Sequence, residues 1–167
     1  MKAVGAGGAR PAWPDLVWRW RRFDDLSVHE LQNIYAARQE VFSLEQQCIF
    51  VDADGCDEHA FHLAAWSTRQ REPVAYSRIL DPGIKYVEAS IGRVITMGAG
   101  RGCGLGRELM ARSIAHAFAT WPGVGIRISA QTRLQRFYEG FGFVAVGSPY
   151  PEDGIAHTEM HLHPSAV

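Results

Sequence analysis

Six consecutive residues, Arg101-Gly102-Cys103-Gly104-Leu105-Gly106, set three glycines and an arginine directly ahead of a run with helical spacing. Glycine lets a backbone turn tightly and lets several N–H groups approach one ligand, while a helix start adds partial positive charge. Such a site suits a pyrophosphate. A dinucleotide-binding G-x-G-x-x-G fails on register, because starts at Gly98, Gly100 and Gly102 end on Cys103, Leu105 and Arg107, and the start at Gly5 ends on Arg10. A Walker loop needs a lysine, and this segment has none. The pattern left is R-x-x-G-x-G, through Arg101, Gly104 and Gly106.

Other reactive side chains give weaker signals. Cys103 sits inside the glycine run, where a helix start lowers a thiol pKa, but a small residue between glycines accounts for it more simply. His157, Glu159 and His161 share one strand face in the order H-x-E-x-H, which is not the zinc-protease H-E-x-x-H; an outward polar face explains it. With Gly55 as the sixth residue of a calcium loop, Phe50 and Phe61 would occupy the first and twelfth ligand positions, and neither binds an ion. No metal is expected. Cys48, Cys56 and Cys103 form no CxxC pair, which fits a reducing, cytoplasmic compartment.

These residues need a scaffold, and 167 residues make one domain of ordinary size. Hydrophobic residues are 47% and charged residues 21%, a soluble globular composition. Lys and Arg total 17 against 18 Asp and Glu, so the formal charge of −1 offers no field for nucleic acid or anionic lipid. No apolar run approaches the roughly 18 residues of a membrane span. Residues 1–12 read as a flexible tail and 13–167 as the domain.

The elements follow from periodicity. Leu16, Trp18 and Trp20 alternate as in a half-buried strand. Ser27 and Glu30 form a capping box with Leu26 and Leu31 as its staple, and Leu31, Ile34, Tyr35, Arg38, Val41 and Phe42 follow at helical spacing. The acidic segment 46–58 reads as a solvated loop. Strands are predicted at His62 to Ser67, Val74 to Leu80 and Val87 to Thr96, the last with Val87, Ala89, Ile91 and Ile95 on one face. A helix over Leu105 to Ala119, a strand over Gly125 to Ala130, a helical stretch Gln131 to Glu139 and closing strands Phe143 to Val146 and Thr158 to Leu162 complete the chain. The order predicts an α/β (α+β) domain with a mixed sheet of six or seven strands flanked by helices.

The glycine loop, together with Arg38-x-x-Val41-Phe42, Glu45-Gln46, Ile91-Gly92-Arg93-Val94, Ala130-Gln131, the Phe137 to Phe143 run F-Y-E-G-F-G-F and Glu152-Asp153-Gly154-Ile155-Ala156-His157, resembles the Gcn5-related N-acetyltransferases, and within them the ElaA-like branch. The likeness runs from Leu16 to Leu162. It implies the acyl-CoA N-acyltransferase fold and a direct transfer from acetyl-CoA to a primary amine. It also implies that the backbone of Gly102 to Arg107 cradles the pyrophosphate, with Cys103 and Leu105 inside that loop. Val94, Ile95 and Thr96 would pair with the pantetheine arm and acetyl carbonyl, and Gln131 stands where many members have Asn. Arg101 either meets phosphate or holds the loop. Tyr138 occupies the position of the proton donor to the departing CoA thiolate.

The chemistry itself needs a neutral amine. At pH 7 only about one lysine-like amine in 2,500 is neutral, a deficit of roughly 4.6 kcal/mol, so a base or a desolvating pocket matters. Glu45, Glu88, Asp153, His157 and a water chain are all candidates for that base. Peptide N-termini, protein lysines, polyamines and drug amines all satisfy the acceptor requirement, and monomer and homodimer are equally compatible with the pattern. The competing class is a binding module that keeps the acyl-CoA cleft without turnover.

Overall fold

The computed structural model describes Trp13 and residues 15–164. The predicted tail lies outside the described residues. Among the described residues the strands and α-helices follow in the order β1 (Val17–Arg22), α1 (Val28–Gln39), β2 (Ala60–Trp66), β3 (Ala75–Leu80), β4 (Ala89–Thr96), α2 (Leu105–Thr120), β5 (Ile126–Gln131), α3 (Gln135–Glu139), β6 (Val144–Glu152) and β7 (Ile155–Leu162). The strands form one seven-stranded mixed sheet in the order β1-β2-β3-β4-β5-β7-β6. Among the described residues, no helix is long and apolar enough to cross a membrane.

Two helical layers sandwich this sheet. The hydroxyl of Ser27 accepts the Glu30 N–H at 3.1 Å and the Glu30 carboxylate accepts the Ser27 N–H at 2.9 Å, closing the expected capping box. From there Ile34 and Ala37 of α1, with Val41 just beyond it, bury against Ala64, Tyr76, Ile95 and Met97. On the opposite face, Leu105 and Leu109 of α2 pack on Leu63 and Ala75, and Met110 and Ala117 pack on Ile79, Ile91 and Ile126. Each fully buried Ile, Leu or Met contributes about 1.5–3 kcal/mol. Past Gln39 the first helix widens into a π turn over Glu40–Glu45, where Gln46 N–H reaches back to Val41 O.

Every neighbouring pair of strands is antiparallel except β4 and β5. A parallel pair needs a crossover, and α2 supplies it. Their ladder is short, with Ala89 opposite Ile126 and Ser90 opposite Arg127. A β-bulge interrupts β4 just beyond, since the register steps from Tyr76↔Ile95 to Arg78↔Gly92 and sets both Arg93 and Val94 against Ser77. The bulge corrects one expectation. Ile91 packs under α2, whereas Ile95, past the extra residue, packs under α1, and Val87 is exposed ahead of the strand. The predicted helical stretch Gln131 to Glu139 also divides, into a 3-10 turn Thr132–Leu134 and α3, and β6 extends to Glu152.

His116 of α2 stacks on Trp20 at 3.9 Å and meets the edge of Phe61 at 4.5 Å. Burial lowers its pKa, and burial likewise lowers that of His62 under α1. A histidine whose folded pKa is depressed binds protons more readily when unfolded. Stability therefore falls as pH drops below about 6.5, the unfolded value. Urea melts from pH 7.5 down to the folded pKa values will show this decline, and His116→Phe will flatten it in part while His62 retains the rest.

Candidate active site

Where β4 and β5 part, a cavity of approximately 450 Å³ opens, walled by Ile91 to Val94 on one side and Ile128 to Gln131 on the other. Backbone direction on its β4 wall follows from two bonds. Ala89 N–H points toward β5, to Gly125 O at 3.2 Å, and Met97 N–H points toward β3, to Val74 O at 2.8 Å. Strand alternation then turns the Val94 and Thr96 amides toward the gap, a parity that the one-residue bulge reverses for the upper half of β4. With the β4–β5 ladder ended at Ser90, no strand pairs with those amides.

The glycine loop closes one end of the gap. Gly102 and Gly104 lie at φ 76° and 83°, and a Cβ on either would meet nothing within 4 Å, so open space borders the backbone. Gly104 is the N-cap of α2 without any side-chain cap, leaving the first-turn amides of Leu105 and Gly106 with no intrahelical acceptor. Gly106 sits 3.8 Å, by its would-be Cβ, from Thr96 Cγ2. Arg101 is committed to the loop itself: its Nε donates to Thr96 O at 3.0 Å and its Nη2 to Glu45 at 2.6 Å. Of its two sequence readings, holding the loop is the one this geometry supports. Cys103 donates its thiol to Gly100 O at 3.0 Å. Ile95 is core, and by the same alternation its amide faces β3, which corrects its expected place beside the pantetheine arm.

Across the gap stands Tyr138 on α3. Its ring is packed edge-on against Phe137 and Phe143, and it borders the cavity. Burial pushes its phenol up to about 12, so the hydroxyl keeps its proton at any physiological pH. Gln131 lines the same wall, donating to Gln46 Oε1 at 3.1 Å and accepting from Arg133 Nε at 2.9 Å.

The four side-chain candidates for a base separate clearly. Glu45 is tied to Arg101 at 2.6 Å. Glu88 is held by Arg127 at 3.1 Å, and that hydrogen bond lowers its pKa. Asp153 and His157 border the cavity. His157 Nδ1 meets the Ile155 carbonyl at 2.9 Å. A carbonyl only accepts, so Nδ1 carries the proton of the neutral ring and Nε2 carries the lone pair. Beside it, Glu152 accepts from Ser129 Oγ at 2.7 Å and Tyr150 Oη at 3.3 Å, a cluster the sequence patterns did not single out.

The acidic loop is the largest correction. Asp57 is buried and Asp52 half-buried, and with the more exposed Asp54 they close a ring of alternating charge with three arginines. Arg38 donates to Asp52 at 2.7 Å and Asp57 at 2.8 Å; Arg78 donates to Asp57 at 3.2 Å and Asp54 at 2.7 Å; Arg93 donates to Asp54 at 3.2 Å and Asp52 at 2.6 Å. Tyr35 Oη adds a bond to Asp57 at 3.0 Å. Burial raises the Asp54 and Asp57 carboxyls, but hydrogen bonds and charge from Arg78 and Arg38 outweigh it and hold both below the usual carboxylate range. One signal foreshadowed the ring: Arg38 occupies a position on the buried stripe of α1, and a buried guanidinium requires anionic partners.

Comparison with known proteins places this architecture. The acetyltransferase (GNAT) domain family matches residues 36–164. A UPF0039 protein of Synechocystis is 42% identical over 146 residues, 87% of this chain and 94% of that protein. Escherichia coli ElaA is 37% identical over 145 residues, 86% and 94% of the two chains, and its crystal structure superposes with a TM-score of 0.82 over 89% of this chain and 99% of that one. The crystal structure of an acyl-CoA N-acyltransferase from Pseudomonas aeruginosa gives 0.84 at 39% identity, over 89% and 99%.

Arg38 has a fully buried side chain between two aspartates. Removing it strands buried carboxylates, so Arg38→Ala will cost about 3–5 kcal/mol of unfolding free energy by denaturant titration. Asp54 and Asp57, depressed in the fold, contribute stability above the unfolded value near 3.9 that is lost as pH falls through their folded values, and the acid limb of the same titration will show it.

Proposed function

The chain belongs to the GNAT family of acetyltransferases and is an acyltransferase; on that premise we propose that it moves an acetyl group from acetyl-CoA directly onto a primary amine seated between β4 and β5. The observation that carries this reading is the early end of the β4–β5 ladder, which leaves the Val94 amide facing a cavity and turns that of Thr96 to the same side. An extended pantetheine arm carries amide groups of its own and suits such an unpaired strand edge. The open backbone around Gly102 and Gly104 and the free amides of Leu105 and Gly106 at the uncapped start of α2 suit its pyrophosphate, while the Arg107 amide is already bonded to Gly104 O at 3.0 Å.

The residues divide the transfer as follows. The Val94 amide donates to the thioester carbonyl oxygen, where negative charge develops as the amine attacks. His157 Nε2, directly or through water, takes the proton that the amine must lose as its C–N bond forms. Tyr138 donates a hydrogen bond to sulfur as the C–S bond breaks. Full transfer from a phenol near 12 to a thiolate of ordinary pKa near 8.5 is uphill by about 5 kcal/mol, so Tyr138 acts first as a donor and the proton lost by the amine balances the thiol.

A panel of peptide, polyamine and small-molecule amines, mixed with acetyl-CoA and followed by free thiol, tests the proposal. Turnover with at least one amine is expected. Calorimetric binding of acetyl-CoA with no turnover across the panel would favour the non-catalytic acyl-CoA module instead, and no binding would overturn both. Tyr138→Phe and His157→Gln should each slow turnover by roughly 100-fold while acetyl-CoA binding persists. Gly104→Val should abolish protection by acetyl-CoA against thermal unfolding, whereas Gly106→Ala, in a helical turn with an ordinary contact to Thr96, should retain it.

A further inference from the structure

Arg93 is the residue at which the β4 bulge turns. It lies at φ 53°, a left-handed backbone that strains any residue with a Cβ. Glycine would occupy that position without strain, so the side chain must supply something glycine lacks. Its guanidinium is held on three sides: Nε donates to Asp52 Oδ1 at 2.6 Å, and Nη2 donates to Asp52 O at 3.2 Å and Asp54 Oδ2 at 3.2 Å. The ring of Phe50 lies 5.1 Å from the guanidinium carbon.

Both aspartates are anchored elsewhere. Asp52 receives Nε of the fully buried Arg38 at 2.7 Å, and Asp54 receives both terminal nitrogens of Arg78 at 2.7 Å. The bulge is thereby fastened to α1 and β3 through a loop that belongs to neither. The parity of β4 makes the purpose specific: with the bulge at Arg93 the amides of Val94 and Thr96 face the cleft, whereas in an unbulged strand of the same sequence those of Arg93 and Ile95 would take their place.

We propose that Arg93 is a positioning residue: clamped by Asp52 and Asp54, it fixes the β4 bulge so that the Val94 amide is aimed at the thioester carbonyl. The role rests on the acyl-CoA reading above. Arg93 does not touch the reacting atoms, and its effect passes through the backbone it turns. The fork matters, because two nitrogens address two different aspartates, and a lysine would reach only one at a time.

Infrared difference spectra of bound acetyl-CoA, labelled with carbon-13 at the thioester carbonyl, read this directly and need no acceptor. In the unmodified protein the carbonyl stretch should fall below its value in solution. Arg93→Gly, which tolerates the backbone conformation, should return most of that shift while calorimetry keeps acetyl-CoA affinity within about threefold, and Arg93→Lys should recover part of it. Asp52→Asn is the second route, removing the clamp while leaving Arg93 in place, and should act in the same direction. With an accepting amine, kcat of Arg93→Gly should drop by roughly 100-fold at nearly constant KM for acetyl-CoA. Folded Arg93→Gly and Asp52→Asn proteins that keep the full carbonyl shift would overturn the positioning role. Failure of the unmodified protein to bind acetyl-CoA would overturn the acyl-CoA reading itself, a result seen before any variant is made.

Discussion

Three guanidinium groups and three carboxylates alternating in a closed ring set the constraint on which the cleft depends. Each aspartate bridges two arginines, and the arginines come from α1, β3 and β4. Burying one such charge without a partner is prohibitive, and a single pair recovers its desolvation only when the geometry is good and the remaining donors are satisfied. The ring meets that condition by sharing. Its carboxylates all come from one loop, so the segment between α1 and β2 has to lie across the sheet.

From that anchorage the geometry of the gap follows. The bulge at Arg93 bends β4 and reverses which of its amides face β5. Meanwhile β5 is paired along its whole length with β7 on its far side, from Ile126↔Leu162 to Gln131↔His157. One strand is bent and its neighbour is held, so they part after two residue pairs. The parting creates both the cavity and the unpaired strand edge within it, and a parallel pair joined by α2 brings the helix start with its glycine loop to the same end of the sheet.

The cleft is divided chemically along the same line. On the β4 side the available groups are backbone amides, which hold no net charge and need no proton to work. Side chains able to give or take a proton stand on the β5 and β7 side: Tyr138, His157 and the Ser129, Tyr150 and Glu152 cluster. The Tyr138 ring is packed among aromatic rings and keeps its proton, while the lone-pair nitrogen of His157 is selected by one carbonyl. Opposite demands on two groups are met by two different surroundings.

Much of this was legible in the chain because it is encoded locally. The capping box of α1, the helical spacing after Leu105, the positive-φ glycines and the element order depend on neighbours within a few residues, and the shared order of several short motifs from Arg38 to His157, R-x-x-G-x-G and F-Y-E-G-F-G-F among them, indicated the family. What only the tertiary structure decided involves partners far apart along the chain. An acidic loop looks solvated, and only Arg38 hints at buried partners, until folding brings residues 38, 78 and 93 onto 52, 54 and 57, because pairing between such charges depends on distance in space and not on spacing in sequence. The bulge is likewise invisible to a period of two, which assumes an unbroken strand. Arg93 therefore reads as an ordinary strand residue until β3 fixes its register, and with it the direction of every amide beyond.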